Sequence, residues 1–215
     1  MGIKTLLLWA LTIPLAVSCA NEGGVSHIRY GLKENAVAEL SLFAFNGDSE
    51  RVPLTVNLGH AFVTLENTGS EPLKFGAAQL AVHESVSLGS WSMSAHFGFW
   101  YNVESTYVNE FERYEGRVSL KTQIDTADLA NINDYIEDHD YWTLLKNCSF
   151  MALDIYNLAA EESDRLPVPA LVTPQAIDTL IRSTTGYEVN QGIDNYGSVG
   201  YARDAEMTGL VEYHV

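Results

Sequence analysis

The chain has 215 residues, and 47% of them are apolar, which is ordinary for a globular protein of one domain. Asp and Glu outnumber Lys and Arg by 28 to 12, so the net charge is −16. A surface this acidic argues against nucleic acid and anionic lipid headgroups as partners, because both would be repelled by it.

The chain begins with a segment typical of export. Lys4 supplies one positive charge, and residues 6–16 are apolar apart from Thr12. This run is too short to cross a bilayer, which requires about 20 residues, but it fits the apolar core of a secretory signal peptide. Pro14 would also interrupt a buried helix here. Residues 1–18 are therefore predicted to be a signal peptide.

The end of this segment predicts a lipid anchor. Residues 15–19, Leu-Ala-Val-Ser-Cys, resemble the bacterial lipobox, whose cysteine becomes the acylated first residue of the mature protein. Cys19 would then hold the protein on a bacterial membrane in the cell envelope through its acyl chains. Residues 19–30 would form the tether and residues 31–215 the folded domain. Cleavage without acylation would instead give a soluble secreted protein.

The first half of the domain is predicted to form β-strands, because its segments are dominated by apolar and β-branched residues and are separated by turn residues. The predicted strands are Ala36–Phe45, Thr55–Glu66, Leu73–Val82, Phe97–Val103 and Tyr114–Ile124. Turn residues at 67–70 follow the second segment, so the third is expected to return beside it as a hairpin partner. The tail, rich in Gly and Tyr, predicts loops with one or two short strands.

The second half of the domain predicts three helices. The first begins at Asp125 or Thr126, the second covers Cys148–Ala160, and the third runs from Pro174 to about Ser183. The first shows apolar residues at spacings of three and four, and Thr173 before Pro174 gives the third a cap and a proline at its first position. Strands followed by helices predict an α+β domain.

Cys148 is the candidate nucleophile. If Cys19 is acylated, Cys148 has no partner for a disulfide within the chain. Its position at a predicted helix N-terminus favours a thiolate, because free backbone N–H groups and the helix dipole stabilise negative charge there. The same N–H groups could hold an oxyanion. His60, at the head of the clearest strand and directly after Gly59, is the candidate base.

The surroundings of these two residues resemble a known superfamily. Residues 59–63, Gly-His-Ala-Phe-Val, and residues 144–150, Leu-Leu-Lys-Asn-Cys-Ser-Phe, are similar to motifs of permuted papain-like cysteine enzymes of the NlpC type. In that superfamily, which includes peptidases, amidases and lipid acyltransferases, a strand histidine precedes the cysteine. The resemblance implies a papain-like α+β core with an antiparallel sheet and the Cys148 helix packed on it.

The superfamily pattern also implies a third polar residue that orients the histidine. If residues 60–66 pair with the next segment across the turn at 67–70, Gln79 is the nearest polar side chain on the face of His60. Gln79 is therefore the predicted orienting residue, and Glu104 and Asn102 are the alternatives on another strand.

Other interpretations of these residues remain open. Cys148 could be a buried structural cysteine. Five potential metal ligands (His60, His83, His96, His139 and Cys148) show no ligand spacing, so neither a metal nor another cofactor is expected. The acidic run at residues 104–115 is expected to be a solvated face. The aromatic cluster Trp91, Phe97, Phe99, Trp100, Tyr101 and Tyr107 is expected to be core, with a groove for glycan or lipid as the alternative.

These expectations combine into two candidate functions. The first is an exported thiol hydrolase or acyltransferase that acts on an amide or ester bond, with cell-wall peptide as the substrate that the predicted compartment offers. The second is a catalytically inactive envelope lipoprotein that binds a ligand or partner with the same fold. Contact between His60 and Cys148 would favour the enzyme, whereas a Cys148 packed only by apolar groups would favour the binding module.

Overall fold

The computed structural model describes residues 33–47, 59–194, 196–203 and 206–209. The predicted signal peptide, Cys19, the tether and residues 55–58 of the second predicted strand lie outside these ranges. No helix within the described ranges is long and apolar enough to cross a membrane.

The domain is α+β and is organised around a large antiparallel sheet, as the sequence predicts. Its strands are β1 (Ala38–Phe45), β2 (His60–Asn67), β3 (Leu73–Phe75), β4 (Ala78–Leu80), β5 (Ser85–Met93), β6 (His96–Tyr101), β7 (Val118–Ile124), β8 (Glu188–Val189), β9 (Gly200–Arg203) and β10 (Glu206–Gly209). The helices are α1 (Val103–Phe111), α2 (Thr126–Asp138), α3 (Cys148–Ala159) and α4 (Pro174–Ser183). Eight strands form one sheet in the order β10-β9-β6-β5-β2-β1-β7-β8.

The hairpin predicted after β2 is wrong. The segment predicted as its third strand forms a separate two-stranded hairpin, β3–β4, and β2 pairs instead with β1 and β5. Asn67 explains how the chain leaves β2, because its side-chain amide donates to the carbonyl oxygens of Glu71 (2.9 Å) and Leu80 (3.2 Å). These bonds stabilise the loop that carries the hairpin away from the main sheet.

The main core lies between one face of the sheet and α2, α3 and α4. Alternate residues of the central strands, such as Leu40 and Leu42 of β1 and Val63 of β2, point into it and are fully buried. Helix α3 packs over β1, β2 and β5. The Cys148 helix is thus packed on the antiparallel sheet, as expected.

The opposite face of the sheet has a smaller aromatic core. Phe43 of β1 and Phe62 of β2 stack with ring centroids 4.9 Å apart, and Ile193 and Tyr114 pack against them. Helix α1 contacts β5 at this face. His60 shares the pleat of Phe62, so its ring belongs to this aromatic layer rather than to the core under α3.

Capping residues set the starts of the helices. The Asp125 carboxylate accepts hydrogen bonds from the backbone N–H groups of Ala127 (2.8 Å) and Asp128 (3.0 Å). In return, the backbone N–H of Asp125 donates to the Asp128 carboxylate. This reciprocal capping box explains why α2 begins where the sequence predicts. Thr173 caps α4 in the same way through the N–H of Ala176 (3.2 Å).

Gly59 fixes the entry of the chain into β2, and we expect Gly59→Ala to lower the free energy of unfolding by about 2 to 4 kcal/mol. Its φ is +77°, and a Cβ there would lie 2.3 Å from the carbonyl oxygen of Phe45 and 2.9 Å from the Cβ of Pro174. Urea unfolding followed by circular dichroism measures the change. Gly192→Ala is the matched control, since a Cβ at that position meets no atom within 4 Å; equal effects of the two substitutions would contradict the prediction.

Candidate active site

Cys148 is the first residue of α3, as the sequence predicts. Asn147 caps the helix: its side-chain oxygen accepts from the N–H groups of Ser149 (3.0 Å) and Phe150 (3.2 Å). Because these two N–H groups already donate to Asn147, they are not available to bind an oxyanion. The N–H of Cys148 itself is then the expected oxyanion donor at this helix end. The cysteine is free and half-buried.

His60 is the first residue of β2 and is only 5% exposed. Its Nε2 lies 2.8 Å from Oε1 of Glu104, and its ring packs against Trp91 with centroids 4.2 Å apart. Its ring is also electrostatically coupled to the Cys148 thiol, and each of the two groups favours the charged form of the other. Because Nε2 faces a carboxylate that can only accept, Nε2 carries the proton and Nδ1 is the nitrogen left for the thiol.

Glu104 lies in the first turn of α1 and is completely buried. Besides His60, its Oε1 accepts from the indole N–H of Trp91 (2.7 Å), and its Oε2 accepts from the hydroxyl of Ser87 (3.1 Å). The Ser87 oxygen in turn accepts from the N–H of Ser105 (3.2 Å). A buried carboxylate needs such donors, and together they hold Glu104 in one position.

Gly89 makes room for this arrangement. A Cβ on Gly89 would lie 1.8 Å from Oε1 of Glu104 and 3.0 Å from Nε2 of His60. Only a residue without a side chain permits β5 to pass so close to the pair, which explains a glycine in the middle of a strand.

The two charges of the site stabilise each other. Burial lowers the pKa of His60, but the charge and hydrogen bond of Cys148, followed by those of Glu104, outweigh it and raise that pKa to about 9. Burial raises the pKa of the Cys148 thiol, yet the charge and hydrogen bond of His60 and the backbone N–H of Ala61 bring it below the usual value. The two groups therefore favour each other's charged form, a thiolate on Cys148 and an imidazolium on His60.

The predicted orienting residue, Gln79, is wrong. Gln79 lies exposed on β4 and pairs with Lys74 in the small hairpin, because β4 does not pair with β2. Glu104, the first alternative, is the partner of His60. Asn102, the second, uses its side-chain N–H groups on the carbonyl oxygens of Tyr196 (3.1 Å) and Ser198 (3.3 Å).

Two further expectations need correction. The acidic run at residues 104–115 is not one solvated face, because it begins with the buried Glu104 on a helix that the sequence did not predict. The aromatic cluster is core at Phe99, Trp100 and Tyr101, but Phe97 is 56% exposed, and Trp91 covers His60 at the site. Ser87, and the role of Trp91 as a donor to Glu104, were not predicted from the sequence.

A small cavity of about 10 Å³ lies between α2 and the start of α3. It is lined by Tyr135, His139, Tyr141, Lys146, Asn147, Phe150 and Met151. Among the described residues, no group of three or more His, Cys, Asp or Glu side chains is placed to hold a metal ion.

No protein-family model matches this chain, and no curated protein or solved structure matches it either. Membership of the NlpC-type superfamily therefore stays a prediction that depends on the two short motifs. The site itself is described by its geometry alone.

Proposed function

We propose that this protein is a thiol hydrolase or acyltransferase that acts on an amide or ester bond. One observation carries the proposal: Cys148 lies at a helix N-terminus, its thiol is electrostatically coupled to His60, and Nε2 of that imidazole is 2.8 Å from the buried Glu104. A nucleophile, a base in contact with it and a third group that orients the base are the parts that covalent acyl transfer needs. A structural cysteine requires none of these partners.

The mechanism follows from the ion pair. The Cys148 thiolate attacks the carbonyl carbon, and the carbonyl electrons move to oxygen, where the N–H of Cys148 donates to the oxyanion. The His60 imidazolium gives its Nδ1 proton to the leaving nitrogen or oxygen as the carbonyl re-forms, which leaves a thioester on Cys148. Neutral His60 then takes a proton from water or another acceptor, whose oxygen or nitrogen attacks the thioester and expels the thiolate.

Glu104 supports this cycle without touching the substrate. It accepts a hydrogen bond from the protonated Nε2 of His60, which keeps Nδ1 directed at the thiol. Its negative charge also stabilises the imidazolium. Trp91 and Ser87 are positioning residues, since both donate to Glu104, and Trp91 also packs against the His60 ring.

The proposal places this chemistry in the bacterial cell envelope. The leader at residues 1–18 and the lipobox-like Cys19 are the basis for export and for a lipid anchor, and they lie outside the described residues. Cell-wall peptide is the substrate that this location offers. The resemblance to NlpC-type enzymes at residues 59–63 and 144–150 supports the same reaction class.

The pH dependence of Cys148 alkylation tests the proposal. We use the mature chain from position 19 with Cys19→Ser, so that Cys148 is the one thiol. Its reaction with iodoacetamide at pH 6.5 is expected to be at least about tenfold faster than that of a free cysteine of pKa ~8.5, because His60 keeps part of the thiol ionised. His60→Ala should move the alkylation midpoint to higher pH, since burial is then opposed only by the hydrogen bonds of Ala61 and Ser149.

The rates from pH 5 to 10 are measured by mass spectrometry, with circular dichroism to establish that His60→Ala is folded. A thiol that reacts slowly until high pH, with a profile unchanged by His60→Ala, would contradict the enzyme. That result would leave the inactive binding module.

A further inference from the structure

A hydrogen-bonded turn directly before the nucleophile presents two leucines to solvent. The N–H of Thr143 donates to the carbonyl oxygen of Lys146 (3.0 Å), and the N–H of Lys146 donates to the hydroxyl oxygen of Thr143 (2.9 Å). These two bonds close the turn around Leu144 and Leu145, which are 82% and 85% exposed. The turn therefore holds both apolar side chains outward.

A third exposed leucine lies on the neighbouring loop. The side-chain N–H group of Asn147 donates both to the carbonyl oxygen of Leu144 (3.4 Å) and to that of Val172 (3.3 Å). Asn147 thus joins the turn to the loop before α4, where Leu171 is 71% exposed. We call these three residues, Leu144, Leu145 and Leu171, the leucine patch.

The leucine patch is continuous with the candidate active site. Asn147, which joins its two loops, is also the cap of the helix that begins with Cys148. Leu145 and Cys148 are three residues apart, so their Cα atoms are at most about 11 Å from each other. An alkyl chain of medium length, attached to a carbonyl at the thiol, can span that distance.

We propose that the substrate carries an aliphatic chain close to the scissile carbonyl and that the leucine patch binds this chain. The inference rests on the proposed thiol chemistry and specifies its substrate class, favouring an aliphatic ester or amide over cell-wall peptide. Single exposed leucines are ordinary on protein surfaces. Here, however, three lie on two loops that Asn147 joins next to Cys148, and an aliphatic chain bound there would cover apolar surface that is otherwise exposed to water.

Charge favours a single chain over a membrane surface as the occupant. The protein carries a net charge of −16, which opposes contact with an anionic bilayer. The one cation on the turn, Lys146, lies over the rings of Tyr141 and Phe150, with its Nζ 5.6 Å from each centroid. An aliphatic chain has no charge and loses nothing by approaching this acidic protein.

A comparison of two alkylating agents tests the inference. The mature chain with Cys19→Ser reacts with iodoacetamide or with N-octyl iodoacetamide at the same pH, and the ratio of the two rates is measured. We expect the octyl reagent to react at least about tenfold faster, because each methylene fully buried contributes about fourfold. In the double variant Leu144→Ser, Leu145→Ser, the ratio should fall toward one.

Val189→Ser is the matched control, since Val189 is 52% exposed on β8 and lies outside the leucine patch. It should leave the ratio as in the wild type. A slow reaction with iodoacetamide itself would overturn the proposed thiol chemistry. A fast reaction with a wild-type ratio near one, or a high ratio that the double variant keeps, would overturn the aliphatic chain alone. The patch would be assigned to a membrane instead if the ratio of the two rates is near one and the wild-type protein sediments with phosphatidylcholine vesicles, whereas the double variant does not.

Discussion

Glu104→Gln is expected to lower the rate constant of acyl transfer to Cys148 by about 10²- to 10⁴-fold, although the thiol itself is unchanged. The amide is uncharged, so it stabilises the imidazolium of His60 less than the carboxylate does. Its side chain can also present an N–H group to Nε2, which would turn the ring to the tautomer with its proton on the wrong nitrogen. Both effects act on the group that must protonate the leaving atom.

The same substitution changes the pH profile in a defined direction. The pKa of His60 is raised to about 9, and Glu104 is one cause of the increase. Loss of that charge lowers the pKa, so the alkaline limb of the rate profile should move from near pH 9 to lower pH. The burst of p-nitroaniline from the p-nitroanilide of acetic acid between pH 5 and 10 measures rate and limb together, because the leaving nitrogen must be protonated, with Cys148→Ala as the background.

Glu104→Ala separates stability from catalysis. This variant leaves the donors of His60, Trp91 and Ser87 without their acceptor in a buried place, so it should lower the free energy of unfolding by about 3 to 5 kcal/mol. Glu104→Gln keeps the shape and part of the bonding, so its loss of stability should be smaller. If Glu104→Gln keeps wild-type burst rates and an unshifted alkaline limb, Glu104 is only a structural anion.

The helices that were predicted from sequence share one property: their starts are encoded locally. The capping box of Asp125 and the Thr173–Pro174 pair act within three residues, so they can be found without knowledge of the fold. The same applies to Cys148, whose place at a helix start follows from the preceding Asn147. The position of Cys148 at a helix start and the α+β class were therefore accessible from the sequence.

Helix α1 and strand β5 were missed because their local signals are weak or contradictory. Asn102 precedes α1 with a φ of 61° and makes no capping bond, and the helix is rich in residues that suit strands equally well. In β5, the buried Ser87 and Gly89 serve Glu104 rather than the strand pattern. Their reason lies in a contact across the sheet, which no short-range signal contains.

The prediction of Gln79 as the residue that orients His60 depended on an assumption about strand order. A turn after β2 suggested that the next strand in sequence pairs beside it, but the partner is β5, one hairpin further on. The change places Trp91 against His60, and it places Glu104, which follows β6, at its ring nitrogen. The place of His60 at the start of a strand could be predicted from the sequence, whereas its carboxylate partner depended on strand order.

Gly89→Ala is expected to disrupt the site from the strand beneath it. The added Cβ would lie 1.8 Å from Oε1 of Glu104 and 2.7 Å from its Cδ, so one of them must move. Glu104 cannot rotate away at low cost, because His60, Trp91 and Ser87 all bind it in a buried space. We expect a loss of about 3 to 5 kcal/mol in the free energy of unfolding, since overpacking and a broken buried network both contribute.

The neighbouring position supplies the control for Gly89→Ala. Ser90 is buried in the same strand, and within the described residues its hydroxyl has no hydrogen-bond partner, so Ser90→Ala should change stability by less than about 0.5 kcal/mol. Urea unfolding and the iodoacetamide profile are measured for both variants. In Gly89→Ala, the displaced Glu104 should also weaken the His60 imidazolium and move the alkylation midpoint of Cys148 to higher pH. If Gly89→Ala has the stability and the alkylation midpoint of Ser90→Ala, the position of Glu104 does not depend on this glycine. The fixed contact between Glu104 and His60 would then no longer explain how the proposed base is oriented.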